Sequence, residues 1–198
     1  QHIQPRFQRT GSASLYITRA DADEVKSLET LHLVTGCYSM RMNLGIEGLT
    51  AVVAGASRGI GYACAEALAA EGVRLAICSR DEERIGAAAT RLGEKHGVEV
   101  QGYVFDLTVQ GAGRELVEKA CADFGRVDIL VTNSGGPPPG SAEESEVEGL
   151  LAGIQGNFLS AVEMTQAALP GMKDGEFGRI VHITSISVKE PIEGLVAS

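Results

Sequence analysis

The chain has 198 residues, 17 basic against 26 acidic side chains, and a formal net charge of −9. That length suits one domain, since domains commonly run to about 100–200 residues, and 44% hydrophobic with 22% charged residues belongs to a chain that buries a core, which excludes wholesale disorder. The acidic balance offers no electrostatic footprint to phosphate backbones or anionic lipid surfaces, and no stretch approaches the roughly 18 consecutive apolar residues of a membrane span, so nucleic acid and membrane are set aside as main partners.

Residues 1–41 follow neither a sustained 3.6 nor a 2.0 period. Their first acidic residue is Asp21, and Arg6, Arg9 and Arg19 among scattered Ser and Thr give them a transit-peptide flavour. They are read as an unassigned, non-native or poorly ordered extension, with the domain proper at 42–198 and Met42 as the candidate natural start. From Leu49 onward, short apolar runs alternate with helical patterns. The runs are Thr50 to Ala54, Val73 to Cys78, Val98 to Phe105, Val127 to Thr132 and Arg179 to Thr184. Between them, Ile60, Cys64, Ala67 and Leu68 recur at helical spacing, then Ile85, Ala88, Ala89 and Leu92, then Leu116, Ala120 and Phe124. Asp81 and Ser141 are candidate helix caps, and Gly72, Gly93 and Gly125 candidate helix ends. Five strands separated by four helical segments predict a doubly wound parallel α/β sheet with right-handed crossovers. The cysteines Cys37, Cys64, Cys78 and Cys121 form no C-x-x-C pair and no zinc-type cluster with His2, His32, His96 or His182, so no metal site is expected. Reduced thiols in a cytoplasmic compartment are the simplest reading.

Directly after the first strand comes Ala54-Gly55-Ala56-Ser57-Arg58-Gly59-Ile60-Gly61, running into a helix. Gly55 permits a tight turn, Gly59 a close backbone approach to a pyrophosphate, and Gly61 close packing of helix on strand, while the free N–H groups and the helix dipole attract phosphates. A strand before, a helix after and a second strand at Val73 make this a candidate dinucleotide site. The second strand ends in Ile77-Cys78-Ser79-Arg80, where an acidic residue favours NAD and an Arg the 2′-phosphate of NADP. Arg80 and Arg58 can converge on that phosphate, so NADP is preferred, and Asp81 keeps NAD open.

These residues resemble the short-chain dehydrogenase/reductase family, and within it the 3-oxoacyl-carrier-protein reductase-like members, over about residues 45–198. The family's glycine loop is matched at Gly55, Gly59 and Gly61, with Ala54 in place of a threonine. The resemblance assigns Asp106, in Phe105-Asp106-Leu107-Thr108, to the adenine edge. It makes Thr132-Asn133-Ser134-Gly135 a partial match to the N-N-A-G that supports the sheet beside the cofactor. It also assigns catalytic places to Asn157, ahead of the fifth strand, and to Ser185 at that strand's end. The family's Tyr position, thirteen residues past Ser185, holds Ser198, and the Lys position four further on lies beyond the sequence.

Carbonyl reduction needs a proton donor beside the developing alkoxide, and a serine hydroxyl is a far poorer acid than the family's Lys-assisted Tyr. Tyr16, Tyr38, Tyr62 and Tyr103 have no Lys four residues on. Two readings follow. One is an NADP-dependent oxidoreductase moving hydride between nicotinamide and a small carbonyl or alcohol substrate, in which Ser185 holds the substrate oxygen and Asn157 orders a water or helix backbone for proton relay. The other is an NADP-binding protein without turnover, a sensor or non-catalytic subunit. Lys189, four residues after Ser185, is weighed as a substitute for the missing proton donor against a solvated loop lysine before Pro191, the latter being preferred; His182 is read as a structural histidine, and Glu143, Glu144, Glu146 and Glu148 as a solvated helix face. The sheet reads as truncated after its fifth strand, short of the family's usual seven, and the resemblance implies a possible homo-oligomer.

Overall fold

Four consecutive residues with no polar alternation, Thr50–Val53, form β1 and are all buried, as a central parallel strand covered on both faces must be. The computed structural model describes residues 44–136, 140–141, 143, 145–185 and 189–190. From β1 the chain runs through α1 (Gly59–Ala70), β2 (Arg74–Ser79), α2 (Glu82–His96), β3 (Val100–Val104), α3 (Ala112–Phe124) and β4 (Ile129–Thr132). It then enters one long helical run, α4 (Val147–Ile154), a π-helical segment (Gln155–Leu159) and α5 (Ser160–Asp174), before β5 (Arg179–His182). All strand pairs are parallel, in the order β3-β2-β1-β4-β5. This is the expected doubly wound architecture, and the reversal of strand order beside β1 puts the carboxyl ends of β1 and β4 at the switch point where such sheets take ligands.

Strand side chains alternate between two cores. Val52, Ala76 and Leu130 face Leu116, Val117 and Phe124 of α3 and Met164 and Ala168 of α5. Ala51, Val53, Leu75, Ile77 and Val131 face Ala65 and Ala69 of α1 and Ile85, Ala88 and Leu92 of α2. Among the described residues, the edge strand β5 is largely exposed, with Val181 47% accessible.

The helix faces expected for α2 and α3 are the buried ones. That of α1 is turned by one position: Gly61, Ala65 and Ala69 are buried, while Ile60 is 63% exposed. A Cβ on Gly61 would lie 2.3 Å from the Gly55 carbonyl oxygen, so the contact of this glycine with the preceding turn sets the helix rotation. Asp81 caps α2 as expected, accepting the Arg84 N–H at 2.9 Å. The same helix does not end at Gly93 but runs on to His96 and closes on the left-handed Gly97. Ser141 does not cap a helix: its carbonyl accepts the Ser145 N–H, and α4 begins only at Val147. Glu143 therefore sits in a turn, Glu146 precedes the helix and Glu148 lies on its exposed side. Residues 1–43, Pro137–Pro139, Glu144 and Ser198, with the readings placed on them, lie outside the described residues.

A polar clamp closes the amino end of the sheet. The Asp128 carboxylate, almost fully buried, accepts the Thr50 N–H at 2.9 Å and the Arg126 Nε–H at 2.7 Å, while Arg74 donates to the Thr50 hydroxyl at 2.8 Å. A buried carboxylate is tolerated only when paired and hydrogen-bonded in this way.

Candidate functional site

The carboxyl ends of β1 to β4 open into a cleft of about 660 Å³. Of the residues singled out from the sequence, Gly55, Ser57, Arg58, Gly59, Ile60, Ser79, Arg80, Asp106, Leu107, Asn133, Ser134, Gly135 and Asn157 line it. Gly61 lies beneath, packed on the turn. Ser185 is exposed, three residues past the end of β5 and outside this lining. The sequence reading did not single out Arg84, Phe105, Thr108 or the small residues Gly149, Ala152, Gly153 and Gly156, all of which also line the cleft. The glycines at 149, 153 and 156 recur at helical spacing, a signal present in the sequence.

The turn between β1 and α1 is built for close approach. Gly55 and Gly59 have φ of 60° and 62°, a region costly for other residues. A Cβ on Gly55 would meet Asn133 Nδ2 at 2.7 Å, whereas one on Gly59 would stand in open space. The Asn133 amide donates to the carbonyls of Ala54 and Gly55, at 3.4 and 3.3 Å, tying the β4 loop to the turn. No side chain caps α1 and no acidic residue occupies its first turn, so the leading N–H groups and the positive end of the helix dipole are left for an anion.

Beneath the turn, Cys78 is fully buried. Burial pushes its thiol up to about 11 against the opposing Gly55 hydrogen bond, so it is an inert packing group rather than a nucleophile. The Asp106 carboxyl is raised by partial burial, but the Thr108 N–H and hydroxyl, at 3.0 and 2.7 Å, and the charge of Arg80 outweigh this and hold it below its ordinary value. Arg80 reaches across the cleft: its Nη2 is 3.8 Å from where a Cβ on Gly135 would sit.

At the other end of the cleft, the helical run changes pitch. In the π segment the Ser160 N–H bonds to the Gln155 carbonyl instead of to Gly156. The Gly156 carbonyl is taken by the buried Ser160 hydroxyl at 2.6 Å. This extra residue in the turn brings Asn157 to the cleft, where its Oδ1 accepts a hydrogen bond from the Ser134 hydroxyl. Such π segments are common at functional sites. His182, weighed as structural, pairs its Nδ1 with the buried Thr132 hydroxyl at 2.8 Å between β5 and β4. Lys189 is exposed in a turn. Among the described residues, no group of three His, Cys, Asp or Glu side chains is placed to hold a metal, and no helix is long and apolar enough to cross a membrane.

The glycine cradle, the uncapped helix start and two guanidiniums in the cleft lining fit a phosphorylated dinucleotide: Gly55 to Gly61 would receive its pyrophosphate and Arg58 and Arg80 further negative charge.

The short chain dehydrogenase family matches residues 49–197. An uncharacterized oxidoreductase of Staphylococcus saprophyticus is 37% identical over 142 residues, 72% of this chain and 61% of that protein. The crystal structure of L-sorbose reductase from Gluconobacter frateurii, complexed with NADPH and L-sorbose, superposes with a TM-score of 0.76 at 33% identity, covering 79% of this chain and 59% of that one. A 3-oxoacyl (acyl-carrier-protein) reductase from Agrobacterium tumefaciens with NADP bound gives 0.73 at 34% identity, covering 81% and 63%. The chain thus spans about three-fifths of the length of the relatives it matches.

Proposed function

The chain belongs to the short chain dehydrogenase family, and on that premise we propose that it is an NADP-dependent oxidoreductase acting on a small carbonyl or alcohol compound, with 3-oxoacyl compounds as the candidate class. The observation that carries this reading is the cleft itself, where an uncapped glycine-turn helix start lies beside Arg58 and Arg80. The NADPH and NADP in the two solved relatives support it. NADP(H), when bound, supplies the hydride chemistry. The chain's residues position it: the α1 N–H groups take the pyrophosphate, Arg58 and Arg80 the 2′-phosphate, Asp106 and Leu107 the adenine edge. Asn133, Ser134 and Gly135 support the middle of the cofactor. Asn157 holds a water or helix carbonyl for proton relay through its contact with Ser134, and Ser185 receives the substrate oxygen. A homo-oligomer is supported by the exposed apolar stripe Val147, Leu151, Ile154 and Phe158. A cytoplasmic location is supported by the free thiols Cys64, Cys78 and Cys121.

Titration of the full chain with NADPH and NADH, read by nicotinamide fluorescence, tests the cofactor. NADPH should bind more tightly, and Arg80→Asp should reverse the preference; an unchanged preference refutes the assignment. A second reading, cofactor binding without turnover, is favoured by one observation in the sequence: Ser198 stands where the family pattern places its tyrosine. Following NADPH oxidation across ketones, aldehydes and 3-oxoacyl compounds separates the two. Turnover abolished by Ser185→Ala supports the oxidoreductase, and tight binding with no turnover supports the second reading.

A further inference from the structure

Among the described residues lining the cleft, three guanidiniums stand against two carboxylates: Arg58, Arg80 and Arg84 against Asp81 and Asp106. The positive excess, in a chain of net charge −9, rests on a single side chain. Asp81 lies about 20 residues past the glycine turn, the place from which a carboxylate accepts hydrogen bonds from the adenosine ribose and thereby selects NAD. Here both of its oxygens are engaged by one residue. Oδ1 accepts the Arg84 backbone N–H at 2.9 Å, and Oδ2 lies 3.2 Å from the Arg84 Nε.

We infer that Arg84 is a selectivity residue for the 2′-phosphorylated dinucleotide, acting through Asp81: its guanidinium occupies the carboxylate that would otherwise read the ribose and repel a phosphate. The inference rests on the NADP reading above. The two contacts are separable. The backbone bond caps α2 whatever stands at position 84, whereas the guanidinium contact needs an arginine. Arg84→Met therefore leaves the cap in place, removes the neutralising charge, and returns the cleft to two positive and two negative side chains. Both side chains are substantially exposed, at 59% and 44%, and such pairs contribute little to stability. A role in selectivity thus separates from a structural one.

The test is the ratio of NADPH to NADH affinity in the full chain, wild type against Arg84→Met, Asp81→Asn and the double variant, with thermal unfolding alongside. Arg84→Met should lower the NADPH-to-NADH affinity ratio severalfold, the scale of one newly uncompensated, partly solvent-screened charge beside the 2′-phosphate, while NADH is unchanged or tighter. In the Asp81→Asn background the same substitution should change the ratio much less. Equal weakening of both nucleotides, or an undiminished effect in the Asp81→Asn background, overturns the inference. A wild type that prefers NADPH and depends on Arg80, but whose ratio ignores Arg84→Met, overturns this inference alone. A wild type that binds neither nucleotide, or prefers NADH, overturns the NADP reading and this inference with it.

Discussion

Gly61→Ala sets two physical effects against each other, and the structure decides between them. Gly61 lies inside α1, where replacing glycine by alanine gains about 1 kcal/mol of helix propensity. The added Cβ, however, would stand 2.3 Å from the Gly55 carbonyl oxygen, 2.8 Å from its carbon and 3.0 Å from the Ala54 oxygen. Every one of these atoms is backbone, so no side chain can swing aside, and the helix must lift by about 1 Å to restore ordinary contact. Overpacking typically costs about 1–3 kcal/mol, and with backbone on both sides the upper end applies. The net expectation is a loss of about 2 kcal/mol, or roughly 4–8 °C in Tm for a chain of this size. Nucleotide affinity should fall as well, because the displaced turn carries the phosphate-facing N–H groups. Gly86→Ala is the control: Gly86 is exposed within α2 and a Cβ there meets nothing within 4 Å, so the propensity gain should appear unopposed as about 1 kcal/mol of added stability. Urea unfolding of both variants reads the difference directly. Wild-type stability or better in Gly61→Ala, or equal destabilisation by the two substitutions, would refute the reasoning.

Asp128→Ala should cost about 1–3 kcal/mol in urea unfolding, because the buried Thr50 N–H loses its acceptor. The partner Arg126 is 41% exposed and can be rehydrated, so the loss stays below that of a fully buried ion pair, and a change within about 0.5 kcal/mol would count against the clamp. Tyr103→Phe removes the 2.6 Å hydrogen bond from the Tyr103 hydroxyl to Asp123, which joins β3 to α3, and should cost about 0.5–1.5 kcal/mol at neutral pH. Burial, then Asp123, raises the Tyr103 hydroxyl above its ordinary value. A group raised on folding contributes fully below its unfolded value near 10 and loses that contribution as pH rises through the folded value. The gap between wild type and Tyr103→Phe should therefore narrow above about pH 10, and a gap that widens there would refute the assignment.

Strand and helix order was legible because each element of a doubly wound sheet writes its own periodicity: continuous apolar runs for buried parallel strands, and 3.6-residue spacing at Ile85, Ala88 and Leu92 or at Leu116, Ala120 and Phe124. Elements went astray where a local signal was ambiguous. Gly93 reads as a helix end, yet Gly97, four residues on, takes the left-handed conformation that ends α2. Ser141 followed by acidic residues reads as a cap, yet α4 begins after Glu146. For α1, the apolar count favoured a face containing Ile60, whereas backbone contact between Gly61 and Gly55 turned Ile60 into the cleft.

By itself, the sequence determined the strand–turn–helix that carries the glycine cradle and the basic residues at the end of β2, because turn chemistry and charge placement are local properties. It did not reveal that the helical run before β5 passes through a π segment, since that depends on the Ser160 hydroxyl taking the Gly156 carbonyl and on Ser134 meeting Asn157 from another strand's loop. Nor did it reveal that Arg84 engages both oxygens of Asp81. Sequence spacing puts residues 81 and 84 within reach of one another, but only the folded turn after β2, held by Ser79 against Asp81, decides which way the carboxylate faces.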